Sequence, residues 1–283
     1  MNQFPWPILQ IKYLWKGIFY DTLRFSFSSD STESMENMIH SAIQKGLNQI
    51  CFTDHMDYNF PKTYTLDFLF DIDEYTQTIH SMQKKYAEQI TIHYGIELGL
   101  QQSAFRNIEQ LINHYPFDYM IGSVHIVDGY DPYYKEYWDK YPGLNGVEKY
   151  LETTLSLIKE TPSIHSLGHL DYVTRYDNNI RDINILEYFP ELIDSILDVL
   201  IQKGIALEIN TSGLRKGNHS NPDISIVKKY IDKGGERITI GSDAHSSEYI
   251  AYGFNQLFHE LKKSGISQYH LFEKGKPLTL SIT

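Results

Sequence analysis

The chain has 283 residues, of which 41% are hydrophobic and 22% charged, enough for one large core and too well mixed for a mini-protein or a disordered tail. Thirty-six acidic against 25 basic residues give a formal charge of −11, which repels polyanions at long range and argues against nucleic-acid binding. A single cysteine, Cys51, rules out an internal disulfide and thiolate metal sites, so a metal would have to sit on His, Asp or Glu.

The first twenty residues are the most apolar stretch, but Pro5, Pro7, Lys12 and Lys16 interrupt them. They make a poor membrane span, and without a basic start or a small-residue cleavage site they make a poor signal peptide. A cytoplasmic protein with no membrane partner is expected. Ser31 and Thr32 then open a helical stretch with Met35, Met38, Ile39, Ala42 and Ile43 on one face and Gly46 at its end. A short buried strand, 49–53, follows. The alternation continues with helix 73–88, strand 91–97, helix 103–114, strand 117–123, helix 145–160, strand 165–168 and helix 184–203. Strand 205–210, helix 223–233, strand 237–241 and helix 247–264 complete it. Repeated strand-then-helix units predict an α/β fold with a parallel sheet, closed into a barrel rather than left open. No linker divides the chain, so one domain is expected. Residues 128–144 are the longest irregular stretch, rich in aromatics and charge, and such a loop between strand and helix lies over the mouth of a barrel.

Polar side chains of metal-binding type recur where each buried strand runs out. Asp54 and His55 follow the strand at 49–53, Glu97 ends the next, and His125 follows 117–123. His169 and Asp171, then Asn210, then Asp243 and His245 occupy the corresponding places further on. In a parallel barrel all strand C-termini share one face, so these groups converge although they are scattered through the chain. Imidazole and carboxylate donors without sulfur suit zinc, manganese or iron, and a carboxylate such as Glu97 can bridge two ions. Such ions lower the pKa of bound water to about 7, which makes hydrolysis the expected reaction. His40, His80, His93, His114, His219, His259 and His270 fall on helices, within a strand, in a loop or near the C-terminus and are read as structural. His165 begins a strand and should face the opposite end of the barrel.

The motifs FTDH at 52–55, GIELG at 95–99, GSVH at 122–125, GHLDY at 168–172, EINTSGLRKG at 208–217 and GSDAH at 241–245 together resemble the polymerase and histidinol phosphatase (PHP) superfamily. EINTSGLRK points to its histidinol-phosphatase branch. The resemblance covers roughly residues 25 to 265. It implies a distorted seven-stranded (β/α) barrel carrying two or three divalent ions. On that likeness Glu97 bridges the first and second ions, His125 and His169 complete the second, and Asp30, His55 and His245 hold the third. Asp243 is left for the first ion, whose other family ligands are an HxH pair on the first strand. Counting back from Asp30 puts Thr22 and Arg24 at those places, and no histidine precedes His40. Residues 1–24 are therefore read as an atypical N-terminal segment and 25–283 as the barrel domain.

The implied substrate is L-histidinol phosphate, hydrolysed to L-histidinol and phosphate in histidine biosynthesis. Glu97 and Asp243 would serve the attacking water through the ions, and Arg215 would neutralise the equatorial phosphoryl oxygens. Arg175 and Arg215 follow strand ends and supply planar bidentate donors for phosphate, with Lys216 a weaker candidate. Asn210, on the same rim, is a further substrate-binding candidate. Either Asp128 or Asp131 could meet the substrate's amine. Another small phosphoester, or an inactive barrel that has lost its first ion site with the HxH pair, are the alternatives.

Overall fold

The computed structural model describes residues 22–23, 27, 31, 33–181, 183–215, 217 and 219–282. The expected alternation is present. The first strand, β1 (Thr22–Leu23), pairs in parallel with β2 (Gln49–Phe52), Thr22 lying opposite Cys51. The sheet thus begins within the segment read as atypical. Between them α1 (Met35–Gln44) buries Met35, Met38, Ile39 and Ala42, and Ser34 caps its start by accepting the Asn37 N–H. A short additional strand, β3 (His55–Met56), pairs with β4 (Thr91–Gly99), and α2 (Ile72–Lys85) between them is capped by Asp71.

The units continue with α3 (Phe105–His114), β5 (Tyr119–Ser123), α4 (Lys135–Lys140), α5 (Leu144–Glu160) and β6 (Ser166–Leu167). Next come α6 (Ile185–Tyr188), α7 (Pro190–Lys203), β7 (Ala206–Asn210), α8 (Ile224–Asp232), β8 (Ile238–Gly241) and α9 (Phe254–Lys263). The parallel sheet runs β1-β2-β4-β5-β6-β7-β8, with β3 added beside β4. It curls until β1 and β8 come into contact, with no β1–β8 pairing among the described residues. The result is a distorted, incompletely closed barrel.

Three expectations are corrected. The helix expected over 184–203 breaks at Phe189, whose backbone leaves the helical region (φ −131°) because Pro190 disfavours it in the residue before. The helix expected from 247 begins only at Phe254, since Ala251 and Gly253 both take positive φ. Within 128–144, α4 forms, so that loop is not wholly irregular.

A C-terminal hairpin, β9 (Gln268–Glu273) and β10 (Lys276–Ser281), was not expected. Lys274 and Gly275, both at positive φ, form its two-residue turn. Leu271 and Phe272 enter the barrel's base against Cys51, Tyr119, Ile121 and Ala206, and burying each contributes about 1.5–3 kcal/mol. Asp118 ties the turn down by accepting the Lys274 N–H. His165 stacks on Phe272 with ring centroids 4.8 Å apart, so it does face the end opposite the predicted site. The base is closed, and the strand C-termini form the open mouth.

Candidate metal centre

His55 on β3 lies opposite Glu97 on β4, and Glu97 opposite Ile121 on β5. The two-residue alternation of Tyr119, Ile121 and Ser123 continues to His125 just past the strand end. This brings the buried Glu97, His125 and His169 into contact: Glu97 Oε1 is 3.2 Å from His125 Nε2 and 3.3 Å from His169 Nε2. His55 packs on His125 with centroids 4.6 Å apart. His55, His125, His169, Asp243 and His245 line one cavity of about 390 Å³. The convergence expected from the motifs is present.

Two of these residues hold positive φ, His169 at 23° and Asp243 at 52°. That conformation costs about 1–3 kcal/mol in a non-glycine residue and persists only where its surroundings hold it. For His169 the hold is Glu208 on β7, whose Oε2 accepts the His169 main-chain N–H at 3.0 Å. For Asp243 it is Arg215, whose guanidinium donates to the carbonyls of Ser242 and Asp243 and lies 4.3 Å from the centroid of the Tyr249 ring.

Burial alone would lower the pKa of His125, but Asp57 and Glu97 outweigh it and push it up to about 10. Asp57, likewise fully buried, is held well below the usual carboxylate range by His125 and His55. With Asp57 2.7 Å from one ring nitrogen and Glu97 3.2 Å from the other, His125 sits in a field that favours a cation. The buried His169 Nδ1 has no hydrogen-bond partner and His125 Nε2 meets only the Glu97 carboxylate, which fits a coordination role. Two groups of donors, Glu97 with His125 and His169, and His55 with Asp57 and His125, have ligand atoms all within 4.8 Å of one another. An oxygen and nitrogen donor set of this size fits a divalent ion.

Asp57 was not singled out from the sequence. It follows His55 by two residues, which on an extended strand puts both on one face, and that was the available signal. Its Oδ2 lies 2.7 Å from His125 Nδ1 and its Oδ1 3.7 Å from His55 Nδ1. Asp30, Arg24 and Lys216 lie outside the described residues.

A second lobe of about 460 Å³ adjoins the first and shares Arg175, Tyr176, Asp243 and His245 with it. Arg175, Arg181 and Arg215 give it positive character, and His219 lines it as well. His219, read as structural, is therefore at the mouth. Arg175 lies 5.5 and 5.1 Å from the ring centroids of Tyr172 and Tyr176 and donates to Ser212 Oγ at 3.2 Å. Asn210 is buried beneath, its Oδ1 accepting from Ser212 Oγ at 2.6 Å, and does not line either lobe. Of the two acids weighed for the amine, Asp131 lines the first lobe beside Phe60, Phe68, Tyr133 and Tyr134, whereas Asp128 is bound by Tyr141 and Lys149 away from it.

The PHP domain family matches residues 23–212. A probable histidinol-phosphatase of Clostridium acetobutylicum is 32% identical over 83% of this chain and 89% of its own. One from Thermotoga maritima is 32% identical over 85% and 90%. The crystal structure of histidinol phosphate phosphatase from Lactococcus lactis, complexed with zinc, L-histidinol and phosphate, superposes with a TM-score of 0.83 at 30% identity, covering 92% of this chain and 98% of that one. Sequence, barrel and cluster agree that the chain belongs to the PHP domain family, in its histidinol-phosphatase branch.

Proposed function

We propose that this protein is a metal-dependent phosphatase that hydrolyses L-histidinol phosphate to L-histidinol and phosphate, a step of histidine biosynthesis in the cytoplasm. The observation that carries the reading is the meeting of Glu97, His125 and His169 at the barrel mouth, beside a cavity with an aromatic lobe and an arginine-rich lobe. A likeness to an enzyme that holds zinc, L-histidinol and phosphate supports the substrate.

Glu97, His125 and His169 would hold one ion and His55 and His245 another, a donor set that suits zinc, manganese or iron. Asp243 would serve a first-site ion that lacks its HxH ligands. Bound divalent ions supply Lewis acidity at the phosphoryl oxygens and lower the pKa of water to about 7. Arg175, kept in place by its tyrosines and Ser212, orients the phosphate from the polar lobe. Arg215 spends donors on the Asp243 turn, so its contribution is to hold that turn and add positive charge at the mouth. Asn210 acts through Ser212 on Arg175 rather than on the substrate. The aromatic lobe shields the imidazole end from water, and Asp131 faces the amine.

Phosphate release from L-histidinol phosphate, measured beside release from a generic aryl phosphate, tests the reading. A strong preference for the former supports it, and equal turnover rejects the substrate. The absence of any histidine before His40 favours a second reading, a barrel that binds ligand without turnover. No phosphate release from any ester with metal bound would establish that one.

A further inference from the structure

The reading above treats His55 and His125 as ligands of two different ions, and the structure shows both presenting Nδ1 to one carboxylate. We infer that Asp57 is a positioning residue that couples the two ion positions by orienting a ligand of each. The inference rests on the proposed metal-dependent reading.

The geometry separates this role from direct coordination. Asp57 is 1% exposed, and its two oxygens are divided between the histidines: Oδ2 is at hydrogen-bond distance from His125 Nδ1, and Oδ1 is within charge-interaction range of His55 Nδ1. An imidazole engaged through Nδ1 presents Nε2 on the other side of the ring. For His125 that side is where Glu97 Oε1 lies, 3.2 Å from Nε2. A carboxylate on the far nitrogen fixes the tautomer and ring orientation and raises ligand basicity. Here one carboxylate does so for His125 by a hydrogen bond and reaches His55 by charge attraction at 3.7 Å, and the two rings are themselves in edge-to-face contact. Disturbing it therefore reaches both ions at once.

The barrel makes room for this arrangement at Gly99 on β4. A Cβ added there would collide with Asp57, whose side chain supplies the three nearest atoms. Gly99 has no positive φ to demand glycine; the requirement is space for Asp57.

Two variants test the inference, with zinc affinity read by competition against a chromophoric chelator and folding checked by circular dichroism. Asp57→Asn has one acceptor oxygen left and cannot serve both rings. Gly99→Ala leaves Asp57 chemically intact and displaces it. Each is expected to weaken both zinc ions by about 10–100-fold and to lower kcat with KM for L-histidinol phosphate changed less than about threefold. Asp57→Glu should recover part of the affinity. Loss of one ion with the other at wild-type affinity would make Asp57 a direct ligand and overturn the inference. So would unchanged zinc affinity in both variants, even with lowered thermal stability. Wild-type protein that binds no zinc would instead reject the underlying reading.

Discussion

Asp131 offers the sharpest test of how the cavity chooses its substrate. Its Oδ1 accepts the Tyr133 N–H at 2.8 Å, its own N–H donates to Tyr64 Oη at 3.0 Å, and burial pushes its pKa up to about 6. Near pH 7.5 it is ionised in a poorly solvated place, which a substrate ammonium group would relieve. Hydrogen bonds to charged groups contribute about 1.5–3 kcal/mol, or about 10- to 150-fold in kcat/KM. Asp131→Asn keeps an acceptor for Tyr133 and removes only the charge. The assay compares L-histidinol phosphate with its analogue lacking the amine. The expected result is a 10- to 150-fold loss on the first and less than threefold on the second. In wild type the preference for the amine should decline as pH falls through about 6, because the neutral acid no longer attracts the ammonium group. Equal losses on both substrates, or a preference that survives in Asp131→Asn, would refute the assignment.

Arg175→Met should lower kcat/KM by about 100- to 1,000-fold, the range for losing one strong donor to developing negative charge, with Arg175→Lys recovering little because the planar fork is lost. Asn210→Ala should have a smaller effect, about tenfold, seen mainly in KM, because it loosens Ser212 and only then Arg175; steady-state kinetics check both. His165 accepts the Met120 N–H through Nδ1 and is buried enough to push its pKa down to about 4. It stays neutral in the fold, so its contribution is complete above the unfolded value near 6.5 and is lost as pH falls toward 4. The full shift corresponds to about 3 kcal/mol, and solvent at the ring edge reduces this to roughly 1–2 kcal/mol. His165→Asn, which retains an acceptor without titrating, should lose correspondingly less stability between pH 7 and 4.5 in urea unfolding. Stripping metal with a chelator should abolish activity and leave far-ultraviolet circular dichroism unchanged, because the core of aliphatic and aromatic side chains closes without help from the site; loss of helical signal would contradict this.

The fold was legible where periodicity and punctuation agree, as in the buried face of α1 and its end at Gly46, although the cap is Ser34 rather than the Ser31 and Thr32 expected, and the convergence of His125, His169 and Asp243 was legible because parallel strands end on one face. The hairpin at 268–281 escaped notice because its stability comes from Leu271 and Phe272 meeting residues as distant as Cys51, which no local pattern announces. Orientation was equally hidden. Arg215 and Asn210 do lie by the rim, but whether a guanidinium reaches for a ligand or for the Asp243 carbonyl depends on a loop some 28 residues away. Asp57 is one strand alternation from His55 but lies just past β3, where only the fold shows that its carboxylate turns toward the two histidines.

Metal content of the purified protein, determined by mass spectrometry after zinc loading and removal of excess, bears most directly on the central claim that separate strand ends build one working centre. Two tightly held ions per chain are expected from Glu97, His125, His169, His55 and His245. Protein that emerges fully folded and free of metal would contradict it.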